Sequence, residues 1–310
     1  MASRGKKKGK SRKKKIKLRT LALALLVGGG LLFTSLSLFL LSDHPLKPVA
    51  PDERSSRAVS SKKQNSKGEQ AARKPQKKEL SAKHKREDSE SLPKVAIIID
   101  DVGFDVDLAR SFVELKPFLT LSVLPTAPHA QAIAREAIGK GVEVLLHLPM
   151  EPKENNDEGP EEGTLLAKMG EEEFVVTLNG HLSKIEGVKG VNNHMGSLLS
   201  EREDKMALLF RELRKRKLFY VDSRTTPQTV ASKVAAEMKV PVASRSVFLD
   251  NELSQEAMKI QWDRLFALAR EQGHAVAIAH PHRETLVFLR GHLQDLRGYL
   301  RLVRVADIVN

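Results

Sequence analysis

The strongest constraint on this chain is a repeat of short apolar runs, each ending in polar residues and followed by a helix-like segment. It begins at Lys94. Val95-Ala96-Ile97-Ile98-Ile99 is continuous, largely β-branched and uncharged, the pattern of a strand covered on both faces. Runs at 119–124, 142–146, 188–191, 218–221, 240–249, 275–279 and 300–305 continue the theme. Segments with helical spacing fall between them, at 105–115, 129–140, 171–185, 203–217, 229–238, 254–272 and 284–296, with Ser254 as a helix cap. A polar loop at 151–163 carries acidic residues, Gly and Pro. Seven or eight βα units within residues 94–310 predict a parallel sheet closed, or nearly closed, into a barrel. An open doubly wound sheet is the alternative.

The residues just past each strand narrow the chemistry. Asp100-Asp101 comes after the first run and His147 after the third. Asn192-Asn193-His194 comes after the fourth, Asp222-Ser223-Arg224 after the fifth, Asp250-Asn251 after the next and His280-Pro281-His282 after the seventh. Parallel barrel strands deliver these ends to one face, so residues distant in sequence converge there. Taken singly, each is an ordinary turn former or cap. The chain has no cysteine, which removes disulfides, thiolate nucleophiles and cysteine zinc sites. It has no G-x-S-x-G, no G-x-x-x-x-G-K-[ST] and no G-x-G-x-x-G, so serine-hydrolase and nucleotide sites lack their sequence context. Carboxylate and imidazole remain. Asp101, His147 and His194 form a candidate shell for a divalent ion, zinc or a similar metal, with a position left open for water. Asp100 is the candidate base and His280 the candidate acid. Asp222 and Arg224 are read as an ion pair that orients substrate or base; Asn193 and Asp250 are further candidates for binding or orienting. Trp262, within a helix, is read as core.

The N-terminal third is built differently. Residues 1–94 carry 25 Lys/Arg against 8 Asp/Glu, leaving 27 against 31 for residues 95–310. The strongly basic balance thus belongs to the tail, and a mildly acidic fold is a poor nucleic-acid binder. Residues 1–20 are basic, and 21–41 hold no charge over 21 positions, about 30 Å of helix. This predicts an uncleaved membrane anchor, with residues 1–20 in the cytoplasm and the folded domain outside. Secretion after cleavage of a signal peptide is the rival. Residues 42–93, rich in Lys, Ser, Pro, Glu and Gln, read as a disordered basic linker. The domain then occupies 94–310.

Five stretches together resemble the divergent polysaccharide deacetylase family, within the wider group of NodB-like carbohydrate deacetylases. They are Ile-Ile-Ile-Asp-Asp-Val-Gly at 97–103, Leu-His-Leu-Pro-Met-Glu at 146–151, Val-Asn-Asn-His-Met-Gly-Ser at 191–197, Val-Asp-Ser-Arg-Thr-Thr at 221–226 and Ala-His-Pro-His at 279–282. The resemblance implies a distorted (β/α)7–8 barrel of NodB-like type and metal-dependent removal of acetyl groups from a polysaccharide. It also implies Asp100 as base, Asp101 as ligand and His280 as acid. Two departures are plain. The wider group takes both ligand histidines from one H-x-x-x-H segment, whereas here the second must come from elsewhere, and His194 is assigned to it. The group's arginine motif is absent, with Arg224 or Arg245 as stand-ins. Besides a deacetylase, two readings stay open: a glycan- or partner-binding module without turnover, and a different metal-dependent hydrolase on the same barrel.

Overall fold

The computed structural model describes residues 92–115, 119–154, 160–294 and 298–309. The basic N-terminus, the anchor and most of the linker lie outside the described residues. Among the described residues no helix is long and apolar enough to cross a membrane.

Among the described residues, nine strands and seven helices follow one another mostly in β/α order. The strands are β1 (Lys94–Val102), β2 (Leu119–Val123), β3 (Glu143–Met150), β4 (Gly190–Met195), β5 (Phe219–Asp222), β6 (Val242–Ser244), β7 (Val247–Phe248), β8 (His274–Ala279) and β9 (Arg301–Leu302). The helices are α1 (Val106–Val113), α2 (Ala130–Gly139), α3 (Glu171–Lys184), α4 (Glu203–Lys215), α5 (Ala231–Met238), α6 (Gln255–Gln272) and α7 (Arg283–His292). Local chemistry sets several boundaries. Asp105 accepts from Leu108 N at 2.9 Å to open α1, and Ser254 accepts from Ala257 N to open α6. Gly273, at φ 80°, closes α6.

Every strand pair is parallel, in the order β6-β5-β4-β3-β2-β1-β8-β7, with β9 beside β1. The order climbs one way from β1 without reversal, which sets aside the doubly wound alternative. The sheet curls into a half-barrel. Its two outer strands, β6 and β7, belong to one stretch of chain: Arg245 N donates to Asp222 O on the β5 side and Ser246 N to Val276 O on the β8 side.

Alternation along the strands divides the core in two. Val95, Ile97, Ile99, Leu121, Leu146, Leu148 and Val191 pack outward with helix residues such as Phe112, Phe174, Leu209, Leu265 and Phe288. Ala96, Ile98, Leu145, Phe219, Val221, Ala243, Val276 and Ile278 face the concave interior. Val303, Val305 and Ile308 complete that inner cluster, closing the end where the strands begin, here called the floor. The run expected at 300–305 as a last strand is thus a two-residue strand leading into this plug. At the floor Glu143 is buried, and its carboxylate accepts from Thr120 Oγ1 at 2.9 Å and from Ala306 N at 3.3 Å.

Candidate metal centre

The same alternation builds the opposite end, the mouth. β1 extends through Val102, β3 through Met150 and β4 through Met195. The residues expected just past these strands therefore lie on them. Following the inward positions along β1, β3, β4 and β8 leads to Asp100, His147, Asn192 and His280. Asp101 breaks the alternation. Its φ is 53°, and the β1–β2 register shifts between Ile99 and Val102. This bulge swings its carboxylate back to the side where Asp100 already points. Met195 (φ 53°) and Arg224 (φ 49°) adopt the same left-handed conformation at the ends of β4 and β5. Such backbones cost energy in non-glycine residues and gather at functional sites.

Three ligating atoms meet at one point. Asp101 Oδ1 lies 3.1 Å from His147 Nε2 and 3.0 Å from His194 Nδ1, and the two nitrogens are 3.2 Å apart. Donors about 2.0–2.2 Å from a tetrahedral ion stand roughly 3.3–3.6 Å from one another, so the cluster is already close to that spacing. Asp101 Oδ1 is buried and accepts no well-directed hydrogen bond despite both close nitrogens. The two imidazole nitrogens lie within hydrogen-bonding distance of each other, but Asp101 Oδ1 is left open beside both, and the residues Asp101, His147 and His194 could hold a metal ion. The electrostatics agree. Burial would raise the Asp101 carboxyl, but His147 and His194 outweigh it and hold it far below the usual carboxylate range. Burial would lower His147, but Asp100 and Asp101 overcome this and push it up. The cluster thus favours a positive charge at its centre.

A buried relay orients the ligand. Asn192 Nδ2 donates to Asp100 Oδ1 at 2.7 Å, so Asn192 Oδ1 is the acceptor for His147 Nδ1 at 2.9 Å. Ser122 Oγ also donates to this oxygen. His147 therefore carries its proton on Nδ1 and turns the Nε2 lone pair to the cluster, the outer-shell arrangement common at metal-bound imidazoles. Asp100 is buried, and its Oδ2 lies 3.8 Å from His147 Nε2. Burial lifts its pKa by more than His147 and Asn192 lower it.

His280 completes the inward set. Asp250 Oδ1 meets its Nδ1 at 2.9 Å, while Asp250 Oδ2 accepts from His280 N and from Thr285 Oγ1, both at 2.7 Å. Nδ1 is occupied, so Nε2 is the atom left for proton donation. Burial would depress His280, but Asp250 outweighs it and the pKa rises. Its ring stacks on Phe248 at 5.9 Å. Arg245 lies over the same ring at 3.7 Å and donates to Ser223 O and Arg224 O.

Two candidates are placed otherwise. Asn193 points to the opposite face from Asn192: it accepts from Tyr220 OH and Ser223 N and donates to Met195 O, fixing the β4 turn. Asp222 accepts from the backbone N–H of Arg224 at 2.9 Å, so this contact is a turn cap rather than the expected side-chain ion pair. Sequence reasoning passes over Ser122 entirely and treats Asn192 only as part of a tight loop. The inward register through His147 and Asn192, which are paired across β3 and β4, is the signal that could have found the relay. Trp262 is core, packed against Phe266 and Phe288.

A singly wound parallel half-barrel is an α/β fold shared by several solved proteins, and here its carboxyl edge carries the Asp–His–His cluster and a buried aspartate. The structure is similar to that of an uncharacterized protein from Agrobacterium tumefaciens, with a TM-score of 0.67 at 24% identity over 70% of this chain and 89% of that one. It is also similar to that of a putative cellobiose-phosphate cleavage protein from Enterococcus faecalis, with a TM-score of 0.52 at 14% identity over 71% of this chain and 100% of that one. These likenesses are of fold. In sequence the chain is 32% identical over 217 residues to the uncharacterized protein YibQ of Escherichia coli, covering 70% of this chain and 67% of that protein. It is 31% identical over 215 residues to an uncharacterized protein of Haemophilus influenzae, covering 69% and 76%. Residues 97–309 match the model of the divergent polysaccharide deacetylases, and the chain belongs to that family.

Proposed function

We propose that this protein is a metal-dependent hydrolase that removes acetyl groups from a polysaccharide of the cell envelope, tethered by residues 21–41 with its folded domain outside the cytoplasm. The observation that carries this reading is the convergence of Asp101 Oδ1, His147 Nε2 and His194 Nδ1, with the carboxylate oxygen left without a hydrogen bond. Asp101, His147 and His194 would hold a divalent ion such as zinc, which would supply a Lewis acid for the acetyl carbonyl and for the attacking water. Asp100, held by Asn192 and raised by burial, takes the proton of that water. His280, with Nδ1 fixed by Asp250, delivers a proton from Nε2 to the departing sugar nitrogen or oxygen. Asp100 and His280 each feel the other's charge, as a base and an acid acting across one bond should.

The test is metal content of the purified full chain together with acetate release from acetylated sugars. The expected result is about one divalent ion per chain and an activity that Asp100→Asn lowers by roughly 10²–10⁴-fold, the usual worth of a general base. Unchanged activity in that variant would remove Asp100 from the mechanism. One observation favours a second reading: the Asp100 and His147 side chains are each only 3% exposed, which restricts water at the base. A glycan- or partner-binding module would bind glycan without an ion and release no acetate.

A further inference from the structure

Three connections at the floor share a property that the mouth does not use. The turns leading into β4, β5 and β6 each present an exposed lysine: Lys189, Lys217 and Lys239. These strands are neighbours in the order β4-β5-β6, so the lysines stand along one rim at strand spacings of about 4.8 Å per step. Beside them, Lys215 and Arg216 are paired with Glu212. The three lysines take part in no ion pair among the described residues, and Glu186 is the one acidic residue in the same three turns.

Local stability does not account for them. Lys217 (φ 56°) and Lys239 (φ 54°) occupy left-handed positions at helix ends, where glycine is the unstrained choice. Lysine there keeps charge at the expense of backbone ease. At the other end of the barrel the first helical turns carry acidic residues, among them Glu171, Glu172, Glu173, Glu203, Asp204, Glu256 and Glu284. The chain also enters the domain on the floor, at the start of β1, after an N-terminal region of strong positive charge.

We propose that the floor docks onto an anionic lipid surface through Lys189, Lys217 and Lys239, turning the mouth away from the bilayer. The reading of residues 21–41 as an anchor brings the domain within reach of lipid, and the orientation rests on the three lysines. Each lysine close to an anionic leaflet gains roughly five-fold in partition. The attraction decays over about 8–10 Å at physiological salt, so the exposed rim is the part that feels it.

The chain lacks cysteine, so one introduced thiol reports one place. Ser183→Cys, exposed in the last turn of α3, marks the floor; Gln255→Cys, exposed at the start of α6, marks the mouth. Full-length chain carrying a dye at either position is reconstituted into phosphatidylcholine vesicles with or without phosphatidylglycerol, containing a lipid with a nitroxide headgroup. The expected result is several-fold stronger quenching at 183 than at 255 in anionic vesicles. That excess should vanish in phosphatidylcholine alone, in high salt, and when Lys189, Lys217 and Lys239 are changed together to Glu or, more gently, to Gln. Equal quenching at both positions, or an excess that survives these changes, overturns the proposal. Resistance to alkaline extraction reports separately on the anchor. A chain that is extracted yet still shows the lysine-dependent excess would sink the anchor and leave the docking face standing.

Discussion

Two carboxylates at opposite ends of one half-barrel are treated in opposite ways. At the floor, Glu143 accepts from Thr120 Oγ1 and Ala306 N, and the Val303–Ile308 plug seals the interior around it. At the mouth, Asp101 Oδ1 is buried with two imidazole nitrogens nearby and no hydrogen bond. The same strands carry both ends. Glu143 is thus satisfied by protein alone, whereas Asp101 Oδ1 is an acceptor that the surrounding protein leaves open. Buried polar atoms in native structures are almost always partnered, and among the few described side-chain atoms that are not, Asp101 Oδ1 is the carboxylate oxygen and lies between two imidazoles.

This contrast predicts that mouth substitutions change ion binding while floor substitutions change stability. The largest effect is expected from Asp101→Ala, which should abolish stoichiometric metal, read by elemental analysis, and with it acetate release. Metal retained at full stoichiometry would refute the assignment. Next, Ile308→Ala opens a cavity in the inner cluster and should cost about 2–5 kcal/mol, measured by urea unfolding, with metal content unchanged. Loss of metal there would show that floor and mouth are not separable.

A subtler effect is expected at Asp250→Asn. Asp250 holds the His280 pKa up, and His280 as an acid must be protonated, so activity falls as pH rises through that value. Removing the charge should move the alkaline limb of kcat/KM to lower pH; a limb that stays put would exclude His280 as the acid. The smallest effect belongs to Glu143→Gln. Burial raises the Glu143 carboxyl more than Thr120 and Ala306 lower it. Its stabilising contribution is therefore complete below the ordinary glutamate range and is lost as pH rises through the raised value. The variant should have the higher urea midpoint at neutral pH, and the difference should close in acid.

The alternation of apolar runs and helical segments makes the strand order legible, because parallel strands joined by helices have few arrangements. Asp101, His147 and His194 are legible for the same reason. The direction of individual side chains is not. Asn193 reads as the better candidate than its neighbour, yet strand alternation sends Asn192 inward and Asn193 into the Tyr220 and Ser223 contacts. Asp100 and Asp101 should point apart by the same rule, and only a left-handed residue within β1, which apolarity does not reveal, brings them together. The plug is hidden because a short apolar run reads alike in a strand and in a cap.

That left-handed residue has an evolutionary consequence. Aspartate and asparagine tolerate this backbone better than other side chains, glycine aside, so at position 101 (φ 53°) bend and ligand are inherited as one letter. Glycine there keeps the bend and abandons the ligand; glutamate keeps a carboxylate and loses the backbone that aims it. Descendants of this chain could discard the centre in a single step, but could not shift it one residue along β1 without redrawing the bulge.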